Sequence, residues 1–169
     1  MGALAGGAIS PSECGNAGCP FAFNGGAFAE YEAVGPVGVR FEASFGRWNG
    51  DPHDPHFSGA TFERIAGIVD GLLIAHQSPL RPYLLAGAGL AHVSGSASAS
   101  GYNPFNGVTT RVDESQTVFA WRVGGGTRLP VGNNSTVVFE LRYTGLPTSS
   151  KEVIKESLGF LELVAGVRF

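Results

Sequence analysis

One pair of residues in the sequence could perform hydrolytic chemistry. His92 and Ser94 stand two positions apart, so an extended strand would place both side chains on the same face. Histidine can then act as the base and serine as the nucleophile, provided that a carboxylate orients the imidazole. Asp113 and Glu114 in the adjoining serine-rich stretch could supply that carboxylate, but no neighbouring segment offers an obvious one. We interpret the pair as a histidine beside the start of a serine-rich loop.

A second candidate is the segment DPHDPH, which holds Asp51, His53, Asp54 and His56. Carboxylates and imidazoles are the ligands that many divalent metals accept. The two prolines stiffen the segment, and Asp-Pro turns are common on protein surfaces. We therefore interpret it as a turn and predict neither a metal site nor a cofactor.

The third candidate is the cysteine pair Cys14 and Cys19 in ECGNAGC. Closely spaced cysteines with glycines between them can close a small disulfide loop in an oxidising compartment, and two free thiols are the alternative. The spacing is not CxxC, and no clustered histidines complete a zinc site. We predict the disulfide.

Strands and the loops between them must position these residues, and the last thirteen residues, SLGFLELVAGVRF, show the strand pattern most clearly. Leu161, Leu163, Ala165, Val167 and Phe169 alternate with a mixed set that includes Glu162, Gly166 and Arg168. A period of two indicates an extended strand with one apolar face, because successive side chains on a strand point to opposite sides.

The same alternation recurs along the chain, which indicates one all-β domain spanning residues 1–169. Eight strands are predicted, at 2–10, 21–33, 37–48, 62–75, 82–93, 116–129, 137–144 and 157–169. The connections alternate between long (11–20, 49–60, 94–115, 147–156) and short (34–36, 76–81, 130–134). In an up-and-down barrel, all long loops then emerge at one rim and all tight turns at the other, which is the pattern of bacterial outer-membrane barrels.

The bulk composition agrees with this prediction. The 26 glycines spread through the chain argue against helices, and no uncharged apolar run reaches the roughly 18 residues of a spanning helix. A net charge of −3 with two lysines argues against a nucleic-acid partner. No leader segment is visible, so for an exported protein we expect Met1 to begin a trimmed form.

The charged residues indicate which face lies inside. The polar faces of the strands collect six acids and six arginines without a lysine, namely Glu30, Glu32, Arg40, Glu42, Arg64, Asp70, Arg122, Arg128, Glu140, Arg142, Glu162 and Arg168. A balanced set of carboxylates and guanidiniums is typical of an internal ion-pair network, because arginine offers bidentate geometry and a permanent charge. We therefore predict a membrane barrel with the apolar face on lipid. A soluble lipocalin-like carrier with the faces exchanged is the alternative.

Two segments carry a resemblance to a known family. PYLLAGAGLAHVSG, from Pro82 to Gly95, is similar to a PY-x-x-x-G-x-G strand, and the closing GVRF resembles a terminal strand, both found in the OmpA-like and OmpX-like eight-stranded outer-membrane proteins. The resemblance implies a transmembrane barrel with long extracellular loops and short periplasmic turns in a Gram-negative outer membrane. It also implies that lipid and lipopolysaccharide surround the barrel, and that assembly machinery recognises the C-terminal strand.

The predicted function is a non-enzymatic surface protein. Twelve charged side chains would plug an interior only just wide enough for side chains, so a pore is not expected. Binding would then belong to the loops, above all to 94–115 with Tyr102, Phe105 and Asp113, although the residues of this stretch favour a hydrophilic loop without any ligand. Since lipid A deacylases of similar fold use a His-x-Ser pair, a deacylase-like enzyme is the alternative; their Asn after Ser is replaced here by Gly95.

Overall fold

A computed structural model of the chain describes residues 1–9, 21–33, 35–49, 61–75, 80–100, 109–132, 134–147 and 158–169. It contains eight strands: β1 (Gly2–Ile9), β2 (Phe21–Glu32), β3 (Val37–Asn49), β4 (Thr61–Ile74), β5 (Pro82–Ser100), β6 (Thr109–Val131), β7 (Ser135–Leu146) and β8 (Leu158–Arg168). Among the described residues, no helix is long and apolar enough to cross a membrane.

The strands form a closed antiparallel barrel in chain order. Each strand pairs with its sequence neighbours, and β1 pairs with β8 from Gly2↔Arg168 to Ile9↔Leu161, so the first and last strands cover each other's edges. The amide of Phe169 also donates to the carbonyl of Met1 at 2.9 Å. The predicted fold, an eight-stranded antiparallel up-and-down barrel, is confirmed.

The two rims of the barrel differ. We call the rim at which β2 meets β3, β4 meets β5 and β6 meets β7 the turn end, and the opposite rim the loop end. Gly35 and Gly132 at the turn end have φ values of 101° and 70°, a left-handed conformation that glycine adopts without steric cost. The long connections 10–20, 50–60 and 148–157 lie outside the described residues, so their predicted lengths stay predictions.

The longest predicted loop, 94–115, is wrong in part. Pairing between β5 and β6 continues as far as Ser100↔Thr109, so both ends of the predicted loop belong to strands. Its serines and glycines have low strand propensity, which favoured a loop. Register propagated from the barrel overrides that preference, and β-branched Thr109, Thr110 and Val112 on β6 suit the extended pairing. Tyr102 and Phe105 fall outside the described residues.

Apolar side chains inside the barrel form two layers. A loop-end cluster consists of Ala8, Ala22, Trp48, Phe62, Ala66, Ile68, Ala91, Val93, Val118, Ala120, Leu146 and Phe160. A turn-end cluster consists of Leu4, Phe28, Leu72, Ile74, Tyr83, Leu85 and Val138. Charged side chains occupy the interior alongside these layers, as described below.

Candidate functional site

The feature that sets this barrel apart chemically is the ion-pair network in its interior. All twelve charged residues predicted for the inner face lie there, and each forms at least one ion pair with another member. The side chains of ten are buried, while Glu32 and Arg168 at the turn end expose about a quarter of theirs. The strand period explains this gathering, because every member occupies the inward position of its strand.

The half of the network nearer the turn end centres on Glu30. Its carboxylate accepts from Arg40 at 3.1 Å, from Arg128 at 2.5 Å and from Arg168 at 3.2 Å. Arg128 and Arg168 also bind Glu32, the former at 2.7 Å. Three guanidiniums therefore share two carboxylates at this end.

Tyr83 joins the network through Glu140. The hydroxyl of Tyr83 and the guanidinium of Arg40 both donate to Oε1 of Glu140. The guanidinium carbon of Arg128 also lies 4.7 Å from the centre of the Tyr83 ring, within cation–π range. Tyr83 was not among the residues predicted for the inner face, although it alternates along the strand with the outward-facing Leu84 and Ala86.

The central half of the network is organised around Arg142. Its guanidinium donates to Glu162 at 2.6 Å, to Glu42 at 2.9 Å and to Glu140 at 3.4 Å. Arg122 binds Glu42 at 2.8 Å and also binds Asp70. Because Glu140 belongs to both halves, the twelve residues form one continuous network.

Glycines on the inner face make room for these long side chains. A Cβ atom at Gly124 would lie 2.7 Å from Cβ of Arg142, and one at Gly126 would lie 2.8 Å from the Tyr83 hydroxyl. Both approaches are closer than van der Waals contact allows. The network therefore fills the interior of the barrel, because an eight-stranded barrel is only wide enough for its own side chains.

Above the network, aromatic rings fill the loop end of the interior. Trp48 stacks on Phe62 at 5.5 Å and meets Phe160 edge-on at 5.2 Å. The guanidinium of Arg64 lies 5.1 Å from the Phe160 ring centre while it binds Glu162 at 2.6 Å. This cluster was not predicted, although Phe160 lies two positions before Glu162 and therefore shares the inner face to which Glu162 was assigned.

The outer wall is apolar over most of its height. Large side chains stand exposed on every strand from β2 to β8, among them Phe41, Ile65, Leu84, Phe119, Leu141 and Leu163. An outer ion pair, Arg47 with Glu63 at 3.8 Å, lies towards the loop end. The geometry therefore excludes the lipocalin-like alternative, which required an apolar lumen and a wet exterior.

The predicted His92–Ser94 pair lies on this outer wall near the loop end. His92 is exposed, and its Nδ1 atom lies 3.0 Å from the Thr117 hydroxyl oxygen rather than beside a carboxylate. The backbone places Asp113 opposite Ser96 and Glu114 opposite Gly95. The nearest described carboxylate in the register is Glu63, which lies opposite Ser94 and pairs with Arg47 at 3.8 Å, and the described hydrogen bond of the His92 ring goes to Thr117 instead.

The other predicted chemical residues cannot be placed. The pair Cys14 and Cys19 and the segment with Asp51, His53, Asp54 and His56 lie outside the described residues, so the disulfide and the turn stay predictions. Over the described part of the chain, no group of three or more His, Cys, Asp or Glu side chains could hold a metal ion.

Comparison with solved structures gives the relatives of this fold. The chain resembles Neisserial surface protein A, with 22% identity, 98% of this chain and 92% of that one covered, and a TM-score of 0.62. The fold of the present chain is the eight-stranded outer-membrane barrel. Ail, the attachment invasion locus protein of Yersinia pestis, aligns at 20% identity over 99% and 97% of the two chains, with a TM-score of 0.62.

A third similar structure is a major outer membrane protein from Thermus thermophilus, at 15% identity, 99% and 98% coverage and a TM-score of 0.63. No protein-family model and no curated protein sequence matches the chain. At these identities the comparisons establish the fold, and they confirm at that level the resemblance to OmpA-like and OmpX-like barrels.

Proposed function

We propose that this protein is a non-enzymatic barrel of a bacterial outer membrane that presents its β5–β6 hairpin as a binding surface outside the cell. The exposed apolar wall supports the membrane location, because soluble monomers rarely expose large contiguous apolar patches. Strands β2, β3, β4 and β7 contain 12 to 14 residues, enough to span a bilayer that needs about 9–11. On this proposal, lipid and lipopolysaccharide surround the wall.

The observation that carries the binding role is the length of the β5–β6 hairpin. β4 pairs with β5 only as far as Ser96, and β7 pairs with β6 only from Trp121 onwards. Beyond these points β5 and β6 pair with each other in the part of the chain that the structure describes. Residues 97–100 and 109–112 form a two-stranded ribbon that continues past the paired wall.

The chemistry of this ribbon favours an extended polypeptide as its partner. The β7-facing side of β6 is unpaired by any described residue from Thr109 to Ser115, and an open edge of this kind presents N–H and C=O groups to solvent. An added strand can bind an edge of this kind through main-chain hydrogen bonds. The similar fold of Ail, whose name describes attachment and invasion, supports an adhesive role.

The membrane location is tested by heat-modifiability. We expect protein folded in detergent to migrate differently on a denaturing gel before and after boiling, because a closed barrel resists the detergent until it is heated. Circular dichroism of the unboiled sample checks the strand content. Unchanged mobility together with solubility in detergent-free buffer would contradict the membrane location.

The binding role is tested by shortening the hairpin. Replacing residues 98–111 with Asn-Gly leaves Ala97 opposite Val112, a pairing that the two-residue turn can close. We expect cells that display the shortened protein to lose adherence to a cultured epithelial monolayer, while the gel shift on boiling is retained. Equal adherence of cells that display the parent and the shortened protein would show that the ribbon is not the binding surface.

The closing strand supports one further partner. β8 carries Leu163 and Val167 on its outer face, and the exposed ring of Phe169 follows it. We propose that the outer-membrane assembly machinery recognises this closing strand. Deleting Phe169 is then expected to reduce assembly in cells more than refolding in detergent.

A further inference from the structure

The loop-end half of the barrel interior contains buried polar atoms without partners among the described residues. Asn24 exposes 1% of its surface, yet neither its side-chain oxygen nor its nitrogen forms a hydrogen bond within that part of the chain. Arg64 exposes 4%, and its Nε and Nη1 atoms are likewise unpaired there. Buried polar groups almost always find a partner, because leaving them unpaired is costly.

These atoms lie around one small residue. In the strand register Asn24 is opposite Gly46, and Gly46 is opposite Arg64, so all three occupy one row of the inner wall. A Cβ atom at Gly46 would lie 3.7 Å from Nε and 3.8 Å from Nη2 of Arg64. The guanidinium therefore lies over the glycine, and the row of the wall between Arg64 and Asn24 carries no side chain.

The unpaired polar atoms of Asn24 and Arg64 indicate what kind of molecule binds here. Nε and Nη1 of Arg64 and Nδ2 of Asn24 require acceptors, whereas Oδ1 of Asn24 requires a donor. A water molecule supplies both, and polar cavities in proteins commonly hold such water. An anion would leave Oδ1 unpaired. It would also add a charge to a network whose six arginines and six carboxylates already balance.

We propose that ordered water binds over Gly46 and bridges Asn24 to Arg64. Within the described residues, Arg64 contacts the network through a single hydrogen bond, from Nη2 to Glu162 at 2.6 Å. The bridging water accepts hydrogen bonds from the unpaired Nε and Nη1 groups of Arg64 and holds the guanidinium against the Glu162 carboxylate. Asn24 is thus a positioning residue for the network, acting through bound water, and the site does not depend on the proposed function.

The test is a rotating-frame Overhauser measurement on protein folded in detergent micelles with labelled asparagine. In this experiment, direct contact with water and proton exchange with water give signals of opposite sign. We expect a direct-contact signal between water and the Nδ2 protons of Asn24. The absence of that signal would overturn the proposal, and so would a shift of the Asn24 resonance on titration with chloride, which would assign the site to an anion.

Two glycine variants control the measurement. Gly46→Ala adds a methyl group at ordinary contact distances, so the barrel should fold while the methyl displaces the water and the signal is lost. Gly71→Ala adds the same group on the outer wall, where its nearest contact is the Ala86 carbonyl oxygen at 3.7 Å, and should leave the signal intact. A signal that survives Gly46→Ala would overturn the proposed position.

A stability measurement gives an independent answer. If water joins Asn24 to Arg64, Asn24→Leu should lower the urea midpoint of unfolding, because Arg64 loses its bridge. If the amide were simply buried and unpaired, leucine would raise the midpoint, which would overturn the proposal.

Discussion

Replacing Arg142 with alanine is expected to lower the free energy of unfolding by about 3–5 kcal/mol, the usual cost of removing one partner from a buried ion pair. Arg142 donates to three carboxylates, Glu42, Glu140 and Glu162, and is itself buried. Its loss leaves these acids short of a counter-charge in an interior that is closed to bulk water. Urea unfolding of the barrel in lipid vesicles measures the change.

The chain offers a matched control in Arg47. This arginine pairs with Glu63 at 3.8 Å on the outer wall, where the two side chains are 58% and 45% exposed. Exposed pairs contribute about 0–1 kcal/mol, so Arg47→Ala should change stability little. Equal effects of the two substitutions would mean that the interior network is solvated and that its ion pairs do not hold the barrel together.

Substituting Arg142 with lysine separates charge from geometry. Lysine keeps the positive charge but lacks the planar fork that lets one guanidinium serve several carboxylates. We therefore expect Arg142→Lys to be more stable than the alanine variant and less stable than the parent protein. That order in urea unfolding would show that the network needs arginine for its shape as well as its charge, whereas equal stability of the lysine variant and the parent protein would show that charge alone is sufficient.

Sequence periodicity was sufficient to predict the barrel because each strand has one buried and one exposed face. The alternation of Leu161, Leu163 and Val167 with Glu162 and Arg168 places each side chain inside or outside without knowledge of its partners. Charge type then assigned the faces, because a wet exterior would have carried lysine rather than arginine alone. The two-residue alternation of side chains and the use of arginine rather than lysine on the polar face therefore predict most of the architecture.

The parts that could not be predicted depend on distances across the barrel. The alternation of side chains along each strand places Arg142 and Glu42 on the inner face. Only the closed barrel brings these two residues, 100 positions apart in the chain, into contact. Closure of the barrel likewise brings Trp48 against Phe160, and the pairing of β3 with β4 places the Arg64 guanidinium over Gly46. The extent of β5 and β6 was missed for a different reason, since pairing there follows the neighbouring strand rather than the propensity of Ser and Gly.

The second large effect is expected on the outer wall. Leu141 is 55% exposed, and on β7 it lies near the middle of the strand, opposite Leu163. A lysine on the lipid-facing side of a membrane barrel costs about 2–4 kcal/mol at the bilayer midplane, because its charge must leave water. We expect Leu141→Lys to lower the free energy of unfolding in lipid vesicles by that amount.

Val131 at the turn end of β6 supplies the depth control. It is 49% exposed, close to the value for Leu141, but it lies at the end of its strand. Near the membrane interface the same lysine substitution costs about 0–1 kcal/mol, because the ammonium group reaches the headgroups. A large difference between the two variants would place the bilayer around the middle of the barrel. Small and equal effects would mean that the apolar wall faces water, and the proposed location would then be wrong even though the fold is right.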